Sequence, residues 1–400
     1  WSQGQAGSWN VAPGDRGGDQ VQQDGAARMG DVVSAVGGAG ASSAAAEAAD
    51  PDSPAAAAAP TLGGKPADTP PNRATMRRWA VNVARWIPTQ SEWLAAAATV
   101  QPEEKERIGR FVFATDAKLA MAGRLLIRRA CRDVLGCSNT DLVLARTKER
   151  KPFLDRPRSP THQSFNFNLS HAGDFVVLAT SPAGLVGVDV ADIRKPGAES
   201  VDEFFRLMKG QFTPAEWDDI NRPGHDQGRL HMFYRHWSLK ESFIKAVGVG
   251  LGLDLQRLEF RSDPALTPTT DGMVWEASLK VDGKPETAWR FSQGYLDPEH
   301  TVAVAIGPPE EALPSYLTAR SIRPPVAAVG GAGVPHAEIL DPESPAVAAQ
   351  LAAPFEATTT VELLNQTDPI SAVDDVRCVA APAPSRLCAT HACTDACVLA

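Results

Sequence analysis

The sequence predicts an α+β chain made of two similar halves, and three observations carry that expectation. A helical pattern followed by short alternating strands appears after Gln101 and again after Asp202. Each long helical pattern stops at a glycine, Gly136 in the first case and Gly248 in the second. The two ends of the chain have a different composition from the middle, so the ordered part is expected to be roughly residues 76–307.

The chain has 400 residues, more than one average domain needs. Residues 1–75 are rich in Ala, Gly, Asp and Pro, and 308–400 are similar, with Val329-Gly330-Gly331-Ala332-Gly333 and Ala381-Pro382-Ala383-Pro384. Such segments bury too little apolar surface to offset the entropy of ordering, so both are expected to be disordered tails. Of the net charge of −9 the tails carry −4 and −7, which leaves the middle at +2. A mildly basic body between acidic ends suits an anionic partner.

No apolar run reaches membrane-spanning length, and the N-terminus has no signal-peptide core; its several Asp argue against a transit peptide, while its Ala-rich composition keeps an organelle leader open. A cytoplasmic protein with no membrane or nucleic-acid partner is the expectation. Cys131 and Cys137 fall in a helical stretch and read as small apolar residues. Cys378, Cys388, Cys393 and Cys397 crowd around His391, but their spacing matches no standard zinc template.

The middle reads element by element. Arg78–Trp86 alternates as a half-buried strand. Ser91 is a fair N-cap for a helix over Glu92–Ala98. Gln101 onward opens another helix, with Pro102 early and acids in its first turn. Asp116 to Leu135 forms the longest pattern, with Leu119, Ala122, Leu126, Ala130 and Val134 on one face. Arg124, Arg128, Arg129 and Arg132 fall on the other, as a solvated face or a basic strip for an acidic protein or phosphates.

Short strands follow at 142–144 and 165–171, with a hairpin turn at Ala172-Gly173 and a return strand over 174–180. The second half begins at Val186–Val190. Helices come next at 202–208 and at 214–220, the latter capped by Thr213 with Pro214 in its first turn. A helix over about 228–247 precedes strands near 258–261, 273–281, 289–292 and 301–306.

Two stretches carry chemistry. Val186-Gly187-Val188-Asp189-Val190 is an apolar strand with one carboxylate. In Trp237-Ser238-Leu239-Lys240-Glu241-Ser242-Phe243-Ile244-Lys245-Ala246, helical spacing places Trp237, Glu241 and Lys245 on one face while Phe243 and Ala246 pack inward. Taken alone, Glu241 and Lys245 are an ordinary helix ion pair. Together with Asp189 they suit Mg²⁺ and a phosphate, because a hard cation takes carboxylate oxygens and completes its shell with water and phosphate. The glycines at 248–252 follow a helix and lack a Gly-Lys-Ser/Thr ending, so they read as a helix stop and not as a phosphate loop.

Asn168-Leu169-Ser170-His171, Gly187-Val188-Asp189 and the Trp237–Ala246 stretch together resemble the Sfp-type 4′-phosphopantetheinyl transferases, and most closely the eukaryotic branch that serves aminoadipate-semialdehyde dehydrogenase. The likeness covers about residues 77–306. It implies two pseudo-symmetric α/β halves in one monomer, 76–185 and 186–307, with the active site between them. It also implies a reaction: coenzyme A gives its phosphopantetheine to a serine of an apo carrier protein of the fatty-acid synthase, polyketide synthase, peptide or aminoadipate-reductase type, with Mg²⁺ bridging the pyrophosphate.

By the same resemblance Asp189 and Glu241 hold the metal, Glu241 also accepts the serine proton, and Lys245 meets the phosphates. Asn168, Leu169, Ser170 and His171 line coenzyme A. Arg146, Thr147, Lys148 and Lys151 form a basic turn near the nucleotide, and Arg107 reaches it from a helix. Three positions depart from the pattern. Ala191 stands where bacterial relatives carry an acid, which water is expected to replace. Ala172 follows His171 where a longer side chain can occur. Arg150 stands where the turn usually has glycine, at a position that favours positive φ. A carrier binder without turnover and a Mg²⁺-dependent coenzyme A pyrophosphate hydrolase are the alternative functions.

Overall fold

The computed structural model describes residues 76–370 except 159–164, 183, 195–199, 263–268, 271, 275–276, 321–351, 366 and 368. The expected N-terminal tail and the Cys/His group at 378–397 lie outside the described residues.

Each half repeats one plan. The first runs β1 (Arg78–Asn82), α1 (Gln90–Ala98), α2 (Pro102–Gly109), α3 (Ala114–Leu135), a small β2–β3 pair (Val143–Arg146, Pro152–Arg156) and the hairpin β4–β5 (Asn166–Ala172, Phe175–Ser181). The second runs β6 (Leu185–Asp192), α4 (Val201–Leu207), α5 (Pro214–Asn221), α6 (Asp226–Val247), a small β7–β8–β9 sheet (Leu258–Arg261, Ser278–Val281, Lys284–Glu286) and the hairpin β10–β11 (Arg290–Asp297, His300–Gly307). The main sheets mirror this plan. The opening strand β1 pairs antiparallel with β5, as β6 does with β11.

Local chemistry sets the helix ends. α3 and α6 are both 22 residues long and both stop at a glycine in the left-handed region, Gly136 with φ 65° and Gly248 with φ 89°. The N-cap of α1 is Thr89, two residues before the expected Ser91, because Thr89 and Glu92 close a capping box. Thr213 and Glu216 do the same for α5, with Pro214 in the first turn as expected. The opening strand ends at Asn82, short of the expected Trp86, where Asn82 caps a single 3₁₀ turn.

α3 covers the first sheet over a core that includes Trp79, Trp93, Leu125 and Leu178. α6 covers the second sheet through Leu239, Phe243 and Val247. Val177 of the first sheet clusters with Val188, Val302 and Val304 of the second. The two sheets meet along β4 and β6 without a backbone ladder. Side chains make the seam instead: Val186 N–H donates to Asn166 Oδ1 at 3.1 Å, Val188 N–H to Asn168 Oδ1 at 2.9 Å, and Val190 N–H to Ser170 Oγ at 3.4 Å. Alternate residues of one strand thus supply the acceptors that buried N–H groups of the other require.

The expectation of an unpacked C-terminal tail is corrected over its described part. α7 (Pro314–Arg320) buries Tyr316, whose hydroxyl receives the amide of Asn166. β12 (Glu356–Ala357) adds a parallel strand to β1, and α8 (Thr360–Asn365) buries Leu363 in the first core. Thr358 N–H reaches Ala80 O, while Ala352 O receives Met273 N–H from the second half. Composition averages hid this because a few well-placed apolar residues and an open sheet edge suffice to order a segment.

Candidate active site between the halves

Gly187 explains why a strand carboxylate can meet a helix here. A Cβ at this position would stand 1.9 Å from Ser242 O and 2.6 Å from Ala246 N, so the α6 backbone lies directly on β6. Asp189, two residues along, points to the same face. There Lys245 Nζ donates to Asp189 Oδ1 at 2.7 Å and to Ser170 Oγ at 2.7 Å, and the Ser170 hydroxyl donates to the same Oδ1 at 3.1 Å. Asp189, Ser170 and Glu241 are buried. Burial and the Asp189 charge push the Glu241 carboxyl up to about 7, against the pull of Lys245.

The first half contributes positive charge. Burial holds His171 down to about 4, helped by the charges of Lys245, Arg107 and Arg124. Burial lowers Arg146 to about 9, with Arg124 and Arg107 adding to the effect. Arg107, Arg124, Arg146 and His171 therefore lie near enough to feel one another's charge, and His171 that of Lys245, which stands beside Asp189 and Glu241. Arg124 Nη1 and Arg146 Nη2 are buried and lack a hydrogen-bond partner among the described residues. Such donors suit an anion with several oxygens.

Other expected site residues have partners within the protein. Lys151 is buried, and its Nζ donates to Lys245 O at 2.7 Å and Ala246 O at 2.6 Å, capping the end of α6. That burial lowers it to about 7. Asn168 is spent on the seam, and Leu169 packs over Gly123. Thr147 is buried and its hydroxyl accepts Lys151 N–H, while Lys148 is exposed on the turn. Arg150 adopts φ 71°, the conformation that favours glycine at this place.

The basic strip on α3 is also corrected. Arg128 is fully buried, bonded to Asn139 Oδ1, Asn139 O, Leu142 O and Gln101 Oε1. Arg124 is 1% exposed, with its Nε 3.3 Å from Glu104. Arg124, expected only as one member of a surface strip, is the member that the structure buries near His171 and Arg146. Its signal was the flanking run Leu125-Leu126-Ile127, since an arginine inside an apolar stretch is drawn inward with it.

A model of the 4′-phosphopantetheinyl transferase N-terminal region matches residues 84–183, and one of the 4′-phosphopantetheinyl transferase superfamily matches 185–305. The chain belongs to this superfamily. It is an enzyme of the transferase class, similar to the L-aminoadipate-semialdehyde dehydrogenase-phosphopantetheinyl transferases of Xenopus laevis and Homo sapiens. The first is 50% identical over 230 residues, 58% of this chain and 76% of the relative. The second is 47% identical over 233 residues, 58% and 75% respectively. A 4′-phosphopantetheinyl transferase of Bacillus subtilis is 32% identical over 164 residues, 41% of this chain and 67% of the relative. The transferase thus sits in the eukaryotic aminoadipate-type branch that its motifs resemble.

Among the described residues no three His, Cys, Asp or Glu side chains gather as a metal cage. Two neighbouring buried carboxylates, Asp189 and Glu241, the latter's proton affinity raised by burial and then by the Asp189 charge, still fit a hard cation that keeps water and phosphate oxygens in its shell. No helix among the described residues is long and apolar enough to cross a membrane.

Proposed function

We propose that this transferase moves 4′-phosphopantetheine from coenzyme A to a serine of an apo carrier protein, with Mg²⁺, and releases adenosine 3′,5′-bisphosphate. The carrying observation is the convergence of Asp189, Glu241 and Lys245 on a pocket walled by Arg107, Arg124, Arg146 and His171. Phosphoryl transfer needs aligned reactants and neutralised oxygens more than covalent help, and this pocket supplies positive charge on one wall and carboxylates on the other.

Asp189 and Glu241 would hold the cation, which neutralises the pyrophosphate oxygens when bound. Glu241, near neutrality in its proton affinity, takes the serine proton directly or through water. Lys245 lies where a departing phosphate gathers charge, and Arg107, Arg124 and Arg146 grip the phosphates of the nucleotide end. His171, held neutral by burial and then by the cations around it, donates one ring N–H to an entering anion. Both halves of the site lie in one chain, so the monomer is the working unit.

The test is mass spectrometry of apo carrier proteins incubated with this chain, coenzyme A and Mg²⁺. A mass increase of one phosphopantetheine group, abolished by a chelator, is expected. Binding of coenzyme A without modification of any carrier would replace this reading with a non-catalytic binder. Consumption of coenzyme A with every carrier unmodified would replace it with a pyrophosphate hydrolase.

A further inference from the structure

The seam between the halves has one irregular member. At 166 and 168 it uses asparagines, whose oxygens accept the β6 N–H groups at 3.1 and 2.9 Å. At the third position it uses Ser170, and the contact to Val190 N–H lengthens to 3.4 Å. The hydroxyl is engaged on its other side, receiving Lys245 Nζ at 2.7 Å and donating to Asp189 Oδ1 at 3.1 Å. Lys245 Nζ meets that same Oδ1 at 2.7 Å. Serine, lysine and aspartate form a closed triangle from three elements, β4 of one half and β6 and α6 of the other. A residue needed only for the seam would resemble its two neighbours.

We propose that Ser170 is a positioning residue that acts through Lys245: its hydroxyl fixes the ammonium against Asp189 and ties that geometry to the register of the two halves. This inference rests on the transferase reading above. The lysine stem has four rotatable bonds, and the triangle removes that freedom before substrate arrives. Removing the hydroxyl leaves the Asp189 contact of Lys245 but takes away its second anchor, so the ammonium is held less precisely toward the reacting phosphate. The cost therefore falls on turnover and not on ground-state binding.

The experiment is a double-mutant cycle on the full chain with a carrier that the wild type modifies, measuring kcat and both KM values. Ser170→Ala is expected to lower kcat about 10- to 100-fold, the worth of one hydrogen bond to a charged group, with the KM for coenzyme A nearly unchanged. In a Lys245→Ala background the same change is expected to cost under about twofold, because the group it acts through is gone. Ser170→Thr, which keeps the hydroxyl, is expected to recover most of the turnover.

Equal losses from Ser170→Ala in both backgrounds would overturn the proposal and leave Ser170 as a seam residue. So would a loss confined to the KM for coenzyme A. If Ser170→Ala does not fold, Ser170→Cys replaces it in the cycle, since a thiol keeps the volume but is a weak acceptor. A wild type that modifies no carrier would overturn the transferase reading and this inference together, whereas a modifying wild type with an additive cycle overturns this inference alone.

Discussion

The long helices of the two halves are alike in build and opposite in use. One numbering step carries Gln101 to Thr213 at the N-caps of α2 and α5, Glu104 to Glu216, Arg128 to Lys240, Leu135 to Val247 and Gly136 to Gly248. Arg128 and Lys240 do the same work. Each is a fully buried cation that satisfies carbonyls beyond its own helix, Asn139 and Leu142 for the arginine, Gln211 and Leu255 for the lysine.

The step also carries Arg129 to Glu241 and Asp133 to Lys245. In the first half the pair closes on itself as a half-exposed ion pair, Arg129 to Asp133 at 2.6 Å. In the second half Lys245 turns away to Asp189. The difference lies in the strand beneath. β6 offers Gly187 for close approach and a carboxylate two residues on, and β5 and β4, the strands that α3 lies on, contain neither a glycine nor an acid. A shared scaffold becomes a site only where the strand lets the helix down and gives its charge a partner.

The comparison breaks most visibly in activity. Glu241→Gln is expected to keep the fold and lower carrier modification about 10²- to 10⁴-fold, the usual worth of a general base. Arg129→Gln, at the corresponding place, is expected to leave the rate unchanged and to alter stability by about 0.5 kcal/mol or less. Rates and urea midpoints of the two variants check this, and similar rates in both would end the assignment of Glu241.

The shared feature is tested next. Lys240 pairs with the buried Glu216 at 2.7 Å, so Lys240→Ala is expected to cost about 3–5 kcal/mol by leaving a buried carboxylate alone. Arg128→Ala is expected to cost about 2–4 kcal/mol through its orphaned acceptors, both read by denaturant unfolding. A loss confined to one helix would deny the symmetry. Gly187→Ala forces α6 off β6 and is expected to cost at least about 1–3 kcal/mol, together with transferase activity.

A pH series sharpens the electrostatic difference. The Glu241 carboxyl, about 7 when folded against 4.5 as a free side chain, keeps its proton longer in the native state. Its contribution is therefore complete below 4.5 and is lost as pH rises through 7, a fall of order 1–3 kcal/mol in the metal-free protein. Melting curves in chelator should show that slope in the wild type and lose it in Glu241→Gln. A small stabilisation is expected at Arg150, whose φ of 71° costs a side chain about 1 kcal/mol. Arg150→Gly is expected to raise stability by up to about that amount, read as a shift in melting temperature.

Much of this was legible in the chain. The glycine stops and the repeated helix-then-strand pattern showed the duplication, and the spacing of Glu241 and Lys245 with the lone Asp189 in an apolar strand marked the residues that the structure brings together, whereas Trp237, on the same expected face, packs with Phe212 and Phe233. The glycine preference at position 150 came from the family resemblance, and Arg150 does adopt a φ of 71° there. The roles of Lys151 and Asn168 were not legible. A basic turn and a polar strand look the same whether their side chains meet a ligand, a helix end or a neighbouring strand.

The sequence by itself determined the elements, their ends and which residues could do phosphoryl chemistry, for these follow from propensity, capping and side-chain type. Only the tertiary structure decided which of those residues meet. It buried Arg124 and Arg128, gave Lys151 to a helix end, and placed β4 of one half beside β6 of the other so that Ser170 touches both Asp189 and Lys245. Those contacts join positions 19 and 75 residues apart in the chain, and no local rule acts over that distance.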